Sequence, residues 1–128
     1  IESAAELRRS PFAGVLLEGF VAAEIVKAQV NAGRRRELYT FRDQQGLEVD
    51  FVVPLGGGRL ALAEAKASTT VRPEMGDAVA RLAACARGRA VQGFVVHQPR
   101  ASAAALGALR PGVRAVSLRE LLAVLRRR

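Results

Sequence analysis

Leu47-Glu48-Val49-Asp50-Phe51-Val52-Val53-Pro54-Leu55-Gly56-Gly57-Gly58-Arg59-Leu60-Ala61-Leu62-Ala63-Glu64-Ala65-Lys66 is the stretch that decides the fold of this chain. Two apolar-rich runs meet at three glycines, the pattern of a β-hairpin. Side chains alternate between the two faces of a strand. Val49, Phe51 and Val53 are therefore expected on one face, with Glu48, Asp50 and Val52 on the other. On the second run Leu60, Leu62, Glu64 and Lys66 share a face, with Ala61, Ala63 and Ala65 behind. A three-residue loop of Gly56, Gly57 and Gly58 sets Leu55 against Arg59. Counting back, Asp50 falls opposite Glu64, and Glu48 opposite Lys66. A two-residue Gly56-Gly57 loop would instead put the two acids on opposite faces.

That register makes the hairpin a candidate site. Opposed residues have Cβ atoms ~4.5–5.5 Å apart. Two carboxylates that close repel when both are ionised, so a divalent cation, Lys66 or a proton must compensate. Magnesium takes hard oxygen ligands and keeps water and phosphate in its shell. Asp50, Glu64 and a backbone carbonyl suit it, and manganese would serve as well. Lys66 is one of only two lysines in the chain. It is placed to orient a water and to stabilise negative charge developing on a phosphate. The competing reading is a cross-strand ion-pair surface, with Glu48 paired to Arg42 across the preceding turn.

Outward from the hairpin, residues 12–31 read as a helix. Ser10-Pro11 serves as the start and Asn31-Ala32-Gly33 as the stop. Gly14, Val15, Glu18, Val21, Ala22 and Ile25 follow one helix face. Leu16, Phe20 and Ala23 add an apolar flank, so the helix is expected to be largely buried. Glu18 is the lone acid on its face and could complete a metal shell or hold an outer water. Residues 37–43 read as the strand before the hairpin. Downstream, 73–86 reads as a helix, 90–97 as a central strand, 101–109 as a short helix, 113–117 as a strand and 118–127 as a terminal amphipathic helix. The apolar stripe of that last helix is read as core packing. A strand meander followed by a helical crossover implies an α/β fold with a mixed central sheet flanked by helices.

Composition narrows the function classes. The chain has 128 residues, half of them apolar. It is read as a single domain spanning residues 1–128. The strongest apolar stretch, 14–30, carries Glu18, Glu24 and Lys27, so no membrane span is expected. One cysteine, Cys85, excludes an internal disulfide and suits a reducing, cytoplasmic setting. It is read as a small buried helix residue. The only histidine, His97, is read as structural. The net charge is +8, which favours polyanions such as DNA. Arg34, Arg35, Arg36 and Arg42 are the candidate phosphate contacts. Residues 40–66 nevertheless carry a slight acidic excess: Asp43, Glu48, Asp50 and Glu64 against Arg42, Arg59 and Lys66. An acidic patch inside a basic chain suits a cation site that must also attract phosphate.

The order of an acid on a helix, an acid on the second strand and Glu-x-Lys on the third resembles the PD-(D/E)XK nuclease superfamily, whose restriction-endonuclease-like core runs αβββαβ. Glu18, Asp50, Glu64 and Lys66 match that pattern in order and element. Val49 stands where the family name has proline. The runs Leu17-Glu18-Gly19-Phe20-Val21, Tyr39-Thr40-Phe41-Arg42-Asp43, Glu48-Val49-Asp50-Phe51-Val52 and Glu64-Ala65-Lys66-Ala67-Ser68 are also similar to a domain of unknown function at the C-terminus of prokaryotic AAA-type ATPases. The resemblance implies magnesium-dependent hydrolysis of DNA and an ATPase domain upstream in the same polypeptide. It equally admits a catalytically silent nucleic-acid-binding or regulatory module. No phosphate-binding Gly-x-x-x-x-Gly-Lys occurs here, because Gly56-Gly57-Gly58-Arg59 lacks the lysine and the following helix. A homo-oligomer is a further expected state.

Overall fold

The computed structural model describes residues 6, 9–68, 70–86, 88–98 and 108–126. Its described elements are α1 (Ala13–Asn31), β1 (Tyr39–Arg42), β2 (Glu48–Gly56), β3 (Arg59–Lys66), a 3₁₀ turn at Pro73–Gly76, α2 (Asp77–Cys85), β4 (Val91–His97), β5 (Ala108–Arg110), β6 (Val113–Val116) and α3 (Leu118–Arg126). The strands form one six-stranded sheet in the order β1-β2-β3-β4-β6-β5. β1, β2 and β3 form an antiparallel meander. β4 lies parallel to β3, and β6 parallel to β4. The expected mixed α/β sheet with helices on both faces is therefore present.

Two apolar layers hold it. One joins α1 and α3 to the sheet through Val21, Ile25, Phe51, Phe94, Val96, Leu121 and Leu125. The other joins α2 to the opposite face through Val49, Leu62, Val79, Val95 and Val113. Fully burying a side chain of this size contributes about 1.5–3 kcal/mol. Gly93 lets α2 approach closely: a Cβ there would sit 2.7 Å from Val79 Cγ1 and 2.8 Å from the Gly112 carbonyl oxygen.

Several local expectations are corrected. α1 is not largely buried: only Val21, Ile25 and Gln29 are. Phe12, Val15, Leu16, Phe20 and Val30 are all more than half exposed. α1 meets the sheet along a single stripe, and its other apolar flank faces away. Ser10 caps a turn rather than the helix, accepting the Phe12 N–H at 3.0 Å. Residues 73–86 divide into the 3₁₀ turn and α2. Cys85 is exposed, at the end of α2. The helix expected at 101–109 lies mostly outside the described residues, and Ala108 and Leu109 belong to β5. β5 and β6 form a hairpin in which Arg110 pairs with Val113 around Pro111-Gly112. That Pro-Gly dipeptide was the available signal for it. No described helix is long and apolar enough to cross a membrane.

Candidate functional site

The site begins with an irregularity in β2. Tyr39 pairs with Val52 and Phe41 with Val49. Two residues of β2, Asp50 and Phe51, thus stand opposite Thr40 alone. Such a bulge bends a strand and re-aims its side chains. Simple alternation fails as a result. Val49 packs with Val52 in the α2 layer, whereas Phe51 and Val53 pack in the α1 layer. Asp50, half-buried, joins Glu18 in lining a groove beneath α1.

The second irregularity sets the register. The turn is Gly57-Gly58, with Gly56 paired to Arg59, and Leu55 is an extra residue in β2. Gly57 and Gly58 have φ of +63° and +78°, which suits the tight hairpin turn. The bulge at Leu55 restores the parity that a shorter turn would have lost. Pro54 therefore pairs with Leu60 and Phe51 with Ala63, the register expected for a three-glycine loop.

Paired residues of β2 and β3 end at Phe51 and Ala63. Beyond that point β2 continues only with β1 and β3 only with β4. The two strands fork where Asp50 would have met Glu64. The Asp50 carboxylate fills the fork, its Oδ2 accepting the Ala65 N–H at 3.0 Å. A side chain replaces the carbonyl that a continued ladder would have provided, which satisfies the donor without closing the strands.

Glu64 lies on the other branch and is only 7% exposed. Its Oε2 lies 3.3 Å from Lys66 Nζ. Alternation along β3 sends Glu64 and Lys66 to the Leu62 side, while Asp50 reaches across the gap. The acids thus straddle a fork instead of sharing one flat face. Burial pushes the Glu64 carboxyl above its ordinary value. Lys66 opposes that rise, while Asp50 and Glu18 add to it. Glu18 is also raised, by partial burial first and then by Asp50 and Glu48, with Arg42 opposing. Glu48 pairs with Arg42 at 3.0 Å, as the ion-pair reading of that turn expected.

A divalent cation is compatible with this donor set. Asp50 and Glu64 are hard-oxygen ligands on neighbouring strands, and their repulsion is a cost that a cation would relieve. Among the described residues no three His, Cys, Asp or Glu side chains group closely enough to hold a metal. Glu18 therefore does not complete a three-acid cage. A bound ion would rely on Asp50 and Glu64 together with water and backbone oxygen.

The expected phosphate contacts separate into kinds. Arg34 is structural: Nη1 and Nη2 donate to the Leu125 and Arg126 carbonyls at 3.1 and 3.3 Å, closing the C-terminus of α3. Arg35 and Arg36 are exposed, and Arg35 lies 4.0 Å from Glu37. Arg42 is exposed at the site's edge. One residue was missed. Gln29 is buried and exchanges two hydrogen bonds with the Glu37 main chain, at 3.0 and 3.1 Å, tying the connector to α1. His97, beside Lys66 in the β3–β4 register, is 5% exposed. Among the described residues neither ring nitrogen has a partner of good hydrogen-bond geometry, although the Ser68 backbone lies close enough to act on the ring. Burial lowers its pKa, against smaller upward influences from the Ser68 backbone and Glu120.

The model of a domain of unknown function, DUF4143, matches residues 13–120. No curated protein and no solved structure matches the chain.

Proposed function

The chain belongs to the DUF4143 family, and we propose that it is a magnesium-dependent phosphodiesterase acting on DNA through Asp50, Glu64 and Lys66. One observation carries the reading. The sheet forks where Asp50 Oδ2 meets the Ala65 N–H at 3.0 Å, and the residues flanking Ala65 are a buried glutamate and the lysine paired with it at 3.3 Å.

Magnesium bound there would supply Lewis acidity and an acidified water. Asp50 is held in orientation by the Ala65 N–H. Lys66 opposes the rise that burial and the neighbouring acids impose on the Glu64 carboxyl. Lys66, partly exposed, offers positive charge to a phosphate once a cation relieves it of Glu64. Glu18 holds a water at the groove. Arg35, Arg36 and Arg42 contact backbone phosphate, while Arg34 serves the fold. This reading extends to the PD-(D/E)XK likeness, to an AAA-type ATPase upstream and to a cytoplasmic setting. The test is incubation with single-stranded, duplex and branched DNA, with and without magnesium or manganese. Cleavage should need the metal and vanish in Asp50→Asn and Lys66→Ala. Cleavage that survives either change would end the assignment.

A second reading is a catalytically silent module that docks a partner domain or a second copy. The exposed apolar flank of α1 favours it. So does the existing neutralisation of Glu64 by Lys66. Under that reading the metal leaves thermal stability unchanged.

A further inference from the structure

The groove beneath α1 encloses about 430 Å³ and is lined in part by Val15, Glu18, Gly19, Tyr39, Asp50 and Phe51. That volume lies within the usual range of small-ligand sites, ~300–1,000 Å³. Its walls are of mixed character. Tyr39, on the edge strand β1, is 57% exposed. Gly19 is open, since a Cβ there would meet nothing within 4 Å. Glu18 and Asp50 bring carboxylates, and Arg42 is close enough to influence Glu18.

We propose that this groove receives one unpaired nucleobase, stacked on Tyr39, with its exocyclic amino group donated to Glu18. The inference rests on the phosphodiesterase reading, because groove and fork share Asp50. Three features select this occupant. A flat aromatic at an exposed edge is a stacking platform for any base. A carboxylate accepts from the exocyclic amino group of cytosine, where thymine instead presents the O4 carbonyl, an acceptor that a carboxylate repels. The chain's net charge of +8 draws a polyanion to the surface, while two carboxylates disfavour a purely apolar guest. A base held within a duplex cannot enter a pocket without leaving the stack. The chain should therefore prefer DNA with an unpaired base.

Tyr39 is the only tyrosine, and the chain has no tryptophan, so its emission reports this one position. The 128-residue chain would be titrated in calcium with oligonucleotides bearing an unpaired cytosine, an unpaired thymine, or neither. The unpaired cytosine should quench Tyr39 emission and bind about tenfold more tightly than the blunt duplex. Tyr39→Leu should lose that advantage and Tyr39→Phe should keep it. Glu18→Gln should level cytosine with thymine. Absence of quenching, or an advantage that survives in Tyr39→Leu, overturns the proposal. Magnesium-dependent cleavage without quenching would sink the groove alone and leave the phosphodiesterase reading intact. Quenching without cleavage would support the groove and sink the chemistry.

Discussion

Asp50 performs two tasks that point substitutions can separate. Its Oδ2 accepts the part-buried Ala65 N–H at 3.0 Å, and its charge presses on Glu64 and Glu18. Asp50→Ala removes both. The orphaned N–H costs about 1–3 kcal/mol, while relief of repulsion offsets part of that loss. Asp50→Asn keeps an acceptor oxygen and removes only the charge. The metal-free order of stability should be Asn at or above wild type, and Ala lowest. For a domain of this size 1 kcal/mol moves Tm by about 3–5 °C, and both variants lose the charge, so Ala should melt roughly 3–15 °C below Asn. Magnesium at a hundred times its Kd should stabilise wild type by about 2.7 kcal/mol and should not stabilise either variant. The assay is thermal unfolding by circular dichroism across a magnesium series. Equal melting of Asn and Ala would refute the structural role of the carboxylate. Magnesium stabilisation persisting in Asn would refute Asp50 as a ligand.

Three further outcomes follow from the same geometry. Lys66→Met leaves Glu64 buried without its 3.3 Å partner. The Glu64 carboxyl, already raised, should rise further, so the variant should be weakest at neutral pH and recover on acidification, as read from melts across pH. His97 titrates below its ordinary 6.5 because it is buried. The stability it contributes is complete above 6.5 and is lost as pH falls towards the depressed folded value. Urea midpoints between pH 5 and 8 should show that slope in wild type and lose it in His97→Phe. Gly93→Ala places a Cβ 2.7 Å from Val79 Cγ1 and 2.8 Å from a carbonyl oxygen. The overpacking should lower unfolding free energy by about 1–3 kcal/mol in denaturant titrations.

Much of the fold was legible in the chain. The helix stop at Asn31-Ala32-Gly33, the three-strand meander, the buried β4 and the terminal helix all follow from apolar periodicity and glycine placement. The hairpin register was legible too, although by a different route: a two-residue turn plus a bulge at Leu55 has the same parity as a three-residue loop. The exposed flank of α1 was not legible. Periodicity says which residues can face a core, not whether a neighbour arrives to cover them. The tasks of Arg34 and Gln29 were hidden because their partners are main-chain carbonyl and amide groups, which carry no side-chain signature.

The linear order of residues determined the α/β class, five of the six strands and the presence of acids at Glu18, Asp50 and Glu64 with Lys66 beside them. These follow from local rules in which each position answers only to its near neighbours. The aim of Asp50 was decided in three dimensions. A bulge arises only against a partner strand, and β2 and β3 part where β2 goes on pairing with β1 and β3 with β4. The side chain that bridges the gap is local in identity and non-local in purpose.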